Sequence, residues 1–389
     1  MQNVQEHINL GTAFSLSRRF DDAIREFEQA LALAPEDGEV RFQLAGLYSA
    51  KGRPDDAERE YRKALESNPM NLGAHLKLGL LYSGQGRLDE AVAELEKALQ
   101  VNPNETSIRN HLGDLYYRQG RTDKAAEEYR RSLSAQPGLS EVRFKLGFLY
   151  ESQGKLDQAV SEYEAALEAN PRHAGVHGIL AGVYAKLGMD ERSIQHYEKA
   201  LQINPNELGV YAGLARVYVR RGLADKALDC YLKASEKSPE DAEFHKAIGR
   251  LYAGKGEAGK AIQSFQKALD LAGEDASTHG ILGFIHEQKA QVEEALREYE
   301  QALQADPDDA LIHDSMAGIY YRRGDHEKAL GHLRRVADLL PWKAETHTRM
   351  GNIFLKLGKK AEARQSWEKA LGLDPGNAIV RNNLKVLQG

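Results

Sequence analysis

The stretch AGKGEAGKAIQSF, Ala253 to Phe265, puts four residues between Gly254 and Gly259-Lys260 and so comes within one residue of a phosphate-cradling loop. That loop needs the pattern G-x-x-x-x-G-K-[ST] between a buried strand and a helix, with the final hydroxyl on magnesium. Here the final position is Ala261. An alanine also stands 34 residues earlier, at Ala227, and 34 residues later, at Ala295. The recurrence decides the reading: Ala261 belongs to a repeat, and Gly256 is its scheduled turn.

Counted from Val4, the same pattern begins at every thirty-fourth residue, giving eleven repeats from 4–37 to 344–377 without insertion or deletion. The eighth place is always small: Gly11, Ala45, Gly79, Gly113, Gly147, Ala181, Ala215, Gly249, Gly283, Ala317 and Gly351. The twentieth place is alanine in ten repeats and Ser193 in the other. Two antiparallel helices come close only where a side chain is nearly missing, so these are read as contact points. Large residues surround them, with tyrosine at the eleventh place from Tyr48 to Tyr320 and at the twenty-fourth from Tyr61 to Tyr299. Glycines from Gly52 to Gly358 fall where a first helix should end, and ten of eleven prolines follow the second.

A period of 34 with two helices, small residues at the eighth and twentieth places, aromatic residues at the eleventh and twenty-fourth and a closing proline resembles the tetratricopeptide repeat. The resemblance covers nearly the whole chain. It implies an all-α, right-handed superhelical solenoid of antiparallel helix pairs, with first helices lining a concave groove. Residues 378–389 read as a capping helix, with Val380, Leu384 and Leu387 inward and Arg381, Asn382, Asn383 and Lys385 outward. Nothing equivalent precedes Val4, so the start is expected to be uncapped, covered by a partner or cut from a longer protein.

Composition agrees. Charged residues make up 28% of the 389, and runs of strand-forming residues are absent. A net charge of -6 offers no positive field for nucleic acid. The single cysteine, Cys230, excludes an intramolecular disulfide and is compatible with a reducing cytoplasm. No apolar run approaches the ~18 residues of a membrane span.

Helical spacing turns the second, fifth, sixth, ninth, twelfth and thirteenth places of each repeat into the groove. Early repeats carry Phe42, Leu76, Leu80, Tyr117, Phe144 and Phe148 there, and later ones Phe284 and Tyr321. Repeats six and seven are nearly bare, with Gly175, Gly178, Gly182, Gly209, Ala212 and Gly213. Beside them Lys186, Arg216, Arg220, Lys246 and Arg250 are opposed within the stripe only by Glu243. The expected partner is a protein or peptide whose acidic part meets these cations and whose apolar part runs toward Phe148 and Phe144. Two better-known uses of the family do not fit. Repeat eight has Lys246 but Arg250 where the chaperone-tail carboxylate clamp would place asparagine, and only Asn9 occupies the place of the asparagine ladder of sugar transferases.

Seven histidines occupy the fourth place, from His7 to His347, and are read as packing residues, since neighbouring repeats lie ~10 Å apart. Neither a metal nor a cofactor is expected. Repeats eight and nine break the pattern with Gly259, Gly273, His286 and Ala290, which suggests a softer joint that loosens between about pH 5 and 7. No catalytic constellation can be assembled. The expected function is a non-catalytic interaction scaffold; the alternatives are the substrate-recruiting repeats of a larger enzyme such as a glycosyltransferase, and self-assembly.

Overall fold

A first helix needs its leading N–H groups satisfied, and in most repeats the chain supplies an acceptor at the thirty-fourth place. Asp37 accepts from the Glu39 and Val40 N–H groups at 3.1 Å, Asn71 from Ala74 at 3.0 Å and Asp309 from Leu311 at 2.8 Å. At its other end each first helix turns on a left-handed residue. The nine glycines from Gly52 to Gly358 named for that role in the sequence have φ between +69° and +83°. In two repeats a side-chain-bearing residue takes it, Arg18 at +56° and Ala290 at +57°.

The structure is a computed structural model that describes residues 2–388. It divides into two compact units, Met1–Pro205 and Asn206–Gly389. The N-terminal unit runs through α1 (Gln2–Leu16), α2 (Phe20–Leu33), α3 (Gly38–Ala50), α4 (Pro54–Ser67), α5 (Leu72–Gly84), α6 (Leu88–Val101), α7 (Thr106–Arg118), α8 (Thr122–Ala135), α9 (Ser140–Ser152), α10 (Leu156–Ala169), α11 (Ala174–Lys186) and α12 (Asp190–Ile203). The C-terminal unit continues with α13 (Leu208–Arg220), α14 (Ala224–Lys237), α15 (Ala242–Gly254), α16 (Ala258–Ala272), α17 (Ala276–Gln288), α18 (Val292–Ala305), α19 (Ala310–Arg323), α20 (His326–Leu339), α21 (Ala344–Lys356), α22 (Lys360–Leu373) and α23 (Ala378–Gln388). No strand occurs among the described residues. Each unit is a solenoid of antiparallel helix pairs, all-α as its pattern requires.

The opening stretch is the turn between α15 and α16. Gly256 sits at φ +76°, and Lys260 pairs with Glu257 at 2.6 Å while lying over the Tyr252 ring. Where proline is replaced by Gly273, nothing stops the second helix, and α16 runs 15 residues against 14 in every other second helix.

Packing explains the small eighth place more sharply than helix approach alone. A Cβ built on Gly113 would stand 2.5 Å from the Tyr129 ring, on Gly283 2.6 Å from Tyr299, and on Gly351 2.4 Å from Trp367. The twenty-fourth residue therefore lies directly on the eighth. Alanines at the twentieth place are fully buried, and Ser193, which replaces one, donates to the Ala181 carbonyl at 2.8 Å.

One recurring contact escaped the sequence reading. In several repeats the side chain at the fourth place reaches both the carbonyl of the proline six residues before it and the side chain at the twenty-third place. Arg109 donates to the Pro103 carbonyl at 2.6 Å and to Glu128 at 2.7 Å. His75 spans the Pro69 carbonyl and Glu94 in the same way. Fourth-place histidines such as His75, His177 and His313 are thus braces between successive repeats as well as packing residues.

In repeats eight and nine the histidines have partners: His279 lies 2.6 Å from both Glu298 and Glu274, and the Nδ1 of the buried His286 lies 3.0 Å from Gln291 Oε1. The unpaired imidazole lies elsewhere. His347 is buried, its Nε2 has no partner, and its twenty-third-place neighbour is Ser366. Burial, with Lys369 nearby, pushes its pKa below the usual histidine value.

The final helix packs Val380, Leu384 and Leu387 against the preceding pair, as its pattern implies. Val380 is buried and Arg381 braces the Pro375 carbonyl at 2.6 Å, but Ile379 and Val386 stand 70% and 73% exposed, so the outer surface is not wholly polar.

Two outcomes follow for stability. Gly351→Ala must displace Trp367 and costs about 1–3 kcal/mol, whereas Gly209→Ala, with open space around it, is neutral or stabilising by up to ~1 kcal/mol; thermal melting distinguishes them. A histidine held neutral stabilises the fold above its unfolded pKa of about 6.5 and loses that contribution as pH falls toward the lowered folded value. His347→Arg with Ser366→Glu rebuilds the Arg109–Glu128 brace, so hydrogen exchange in 344–370 should lose its acid sensitivity between about pH 7 and 5 and slow by roughly fivefold, or ~1 kcal/mol.

Candidate partner-binding site

The side chains expected in the groove project from first helices, and within each unit those helices form one wall. Rungs tie the wall together at a spacing of 35. Arg118 donates to Ser83 Oγ at 2.9 Å, Lys186 pairs with Glu151 at 2.7 Å, Arg322 with Glu287 at 2.5 Å, and Arg349 with Asp314.

In the N-terminal unit the structure brings Tyr117, Phe144 and Phe148 together. The Tyr117 and Phe148 rings meet edge to face at 6.2 Å, both a little over 40% exposed. Phe144 is half-buried, 5.8 Å from the Tyr163 ring and stacked at 6.3 Å on His173. With Tyr129 and Leu149 they line a cup of about 190 Å³, and Asp114 and Lys145 complete its lining. Asp114 accepts from the Tyr129 hydroxyl at 2.6 Å and from Lys145 at 2.9 Å. Burial and the adjoining Asp114 carboxylate push the Tyr129 phenol up, so it stays a donor at any working pH. Burial opposes the Lys145 charge, but Asp114 and Glu141 outweigh it and raise its pKa. The cup is therefore an apolar depression with a neutralised polar edge.

Phe42 has a different role. It lies 5.9 Å from the Tyr61 ring and over Gly73, and is half-buried in packing. Leu76 and Leu80 are likewise half-buried.

The basic run is less free than its sequence suggests. Lys186 is taken by Glu151, Lys246 lies 3.1 Å from Glu243 and 3.6 Å from Asp275, and Arg220 is also engaged. Glu243 is thus not the only opposing carboxylate. Arg216 and Arg250 remain: both are exposed at the ninth place of α13 and α15, and neither has an ion pair among the described residues. Both act on the Tyr231 phenol, whose pKa burial raises and the two guanidinium groups pull back. Gly213 is buried and forms no part of an open wall, whereas Gly175 and Gly209 are exposed.

Further along the C-terminal unit, Phe284 is 55% exposed beside a hollow of about 390 Å³ lined by Ala253, Ala258, Ile281 and Ile285. Tyr321 is half-buried, covered by Lys356 at 4.4 Å and flanked by His326 at 5.6 Å. No three histidine, cysteine, aspartate or glutamate side chains converge among the described residues, and no helix there is long and apolar enough to cross a membrane.

Residues 16–81, 76–140 and 140–173 match tetratricopeptide repeat family models, and 172–382, more than half of the chain, match the model described as the cilia and flagella-associated protein 70 C-terminal domain. The chain belongs to the tetratricopeptide repeat family. Within it, it belongs to the group that the longest of these models describes. Solved tetratricopeptide-type structures are similar. The MamA protein is 26% identical over 44% of this chain and 93% of its own, with a TM-score of 0.42. YrrB, titled a TPR protein with an unusual peptide-binding site, is 26% identical over 47% of this chain and 95% of its own, at 0.43. A Naa15/Naa10 complex bound to HypK-THB matches 99% of this chain and 66% of its own at 17% identity and 0.48. Comparison with curated proteins found no match. Tetratricopeptide repeat proteins are generally non-catalytic, and the fold implies a protein interaction scaffold.

Packing and exposure separate at two phenylalanines one helical turn apart. Phe144→Ala removes ring contacts on Tyr163 and His173 and should lower stability by about 2–3 kcal/mol, while Phe148→Ala costs under about 1 kcal/mol; melting of the two variants checks this.

Proposed function

We propose that this tetratricopeptide repeat protein is a non-catalytic adaptor that binds an extended partner segment on the wall formed by its first helices. The observation that carries the reading is the pair Arg216 and Arg250, two exposed guanidinium groups beside one phenol with no carboxylate among the described residues pairing with them. A planar guanidinium suits bidentate carboxylate recognition, and two of them one repeat apart favour an acidic segment. The cup of Tyr117, Phe144 and Phe148 supplies a second contact of different chemistry, suited to one apolar side chain. Each is a binding element in its own unit. The chain's net charge of -6 makes this local positive pair selective rather than part of a general field.

The test is a selection from a random peptide display library. The wild type should enrich peptides containing aspartate or glutamate, with affinity falling as salt rises. The Arg216→Glu, Arg250→Glu variant should bind those peptides at least tenfold more weakly and lose most of the salt dependence. Enrichment of the same peptides by both proteins would place recognition elsewhere.

A further inference from the structure

The brace between the fourth and twenty-third places joins a cation or a histidine to a carboxylate in most repeats. Repeats six and ten put histidine at both places. His177 Nδ1 lies 3.0 Å from His196 Nδ1, and His313 Nδ1 lies 2.9 Å from His332 Nδ1. The ring centroids are 5.1 and 5.2 Å apart, at interplanar angles of 40° and 44°. The same arrangement is therefore built twice, once in each unit.

The second nitrogen of the first ring fixes its tautomer. Nε2 of His177 stands 3.1 Å from the Pro171 carbonyl and Nε2 of His313 stands 3.1 Å from the Pro307 carbonyl. A carbonyl only accepts, so each Nε2 carries hydrogen and donates, and each neutral ring keeps a bare lone pair on Nδ1. That lone pair faces the Nδ1 of the opposite imidazole, which presents its own N–H. A histidine whose remote N–H is held by a backbone carbonyl is oriented in the way metal-ligating histidines are, and His177 and His313 have that support in place.

We propose that each histidine pair is a binding site for a borderline divalent transition metal such as Zn²⁺, Ni²⁺ or Cu²⁺, held by two Nδ1 atoms and completed by water. Two imidazole nitrogens at about 2.0–2.1 Å from one tetrahedral ion stand roughly 3.3 Å apart, so each pair opens by only a few tenths of an ångström. The second ring changes tautomer as the ion enters: its Nδ1 proton leaves to solvent, Nε2 takes one up, and the ring stays neutral. His196 and His332 are half-buried, and His196 borders a groove of about 740 Å³ that also exposes Glu164, Glu168 and Lys199. Water reaches the first pair through that groove. With no third protein ligand converging on either pair, affinity falls short of that of a closed four-ligand site. Two cations, Lys199 and Arg192, act on His196 against one carboxylate, Glu164, whereas only His313 acts electrostatically on His332, so the pair in repeat ten is the tighter site. Imidazole ligands favour these ions over hard cations such as Mg²⁺.

The experiment is a calorimetric titration of the metal-free full chain with Ni²⁺ and Zn²⁺, with Mg²⁺ as the control. Two specific sites per chain are expected, with no heat of binding from Mg²⁺. Glutamine can donate its amide N–H to the remaining Nδ1 and preserve the brace, so His196→Gln should remove one site and His332→Gln the other, at unchanged helicity. Binding that persists in the double variant overturns the proposal, as does a wild type that binds neither ion. For a single pair, a variant that leaves the site count at two overturns that pair. A measurement on the wild type alone gives a second check independent of folding in the variants: the X-ray absorption spectrum of bound Ni²⁺ should show two imidazole nitrogens per ion, and one or none would overturn the assignment.

Discussion

Everything in this chain depends on a large side chain lying on a nearly absent one. The twenty-fourth residue of a repeat, usually tyrosine, rests on the eighth, where even a methyl group on Gly113, Gly283 or Gly351 would come within 2.6 Å of ring atoms. That contact sets how closely two helices of a pair approach. It also carries the ring through the pair toward the wall: the hydroxyls of Tyr129, Tyr163 and Tyr299 emerge beside Asp114, Glu151 and Glu287, at the ninth or twelfth place. Core packing and the polar pattern of the candidate surface are therefore one arrangement, because the residue that fills the pair also supplies a donor to the wall.

Successive pairs are joined by a different device. Burial at the third, seventh and tenth places is mostly apolar and tolerant of shape, as Val40, Leu44 and Leu47 show. The brace at the fourth place adds direction, because a guanidinium or imidazole must satisfy a proline carbonyl and a facing side chain together. Where the facing group changes, the local chemistry changes with the fold intact. Glu128 gives an ion pair with Arg109, His196 gives two neutral rings at hydrogen-bonding distance, and in the repeat with Ser366 at that place the buried His347 Nε2 has no partner. Repeats of one shape thus differ in their response to protons and ligands.

The helix pairs were legible because their determinants are local and periodic. Gly52 and its counterparts mark a left-handed turn, prolines mark a helix end, and both recur in sequence order. Arg18 passed unnoticed for the opposite reason: a left-handed residue that is not glycine carries no signature in its own side chain. The candidate site was less legible. Phe42 and Phe148 both lie on the stripe predicted to face the groove, yet Phe42 is spent on Tyr61 and Gly73 while Phe148 stays exposed. The difference arises from the neighbouring helix, which helical periodicity does not describe.

Charge on the wall shows the same limit, and also a way past it. The cations of the basic run look equivalent when counted by stripe, but a wall cation is consumed when an acceptor stands 35 residues before it. Glu151 precedes Lys186 by that interval, Ser83 precedes Arg118, Glu287 precedes Arg322 and Asp314 precedes Arg349, and all four are joined. Ala215 precedes Arg250 by the same interval and offers nothing. A binding surface on this fold is therefore what remains after the repeats have satisfied one another. A charge left over from that pairing, held on a rigid helix, is already oriented before a partner arrives, so less ordering entropy is lost on binding than for a flexible surface.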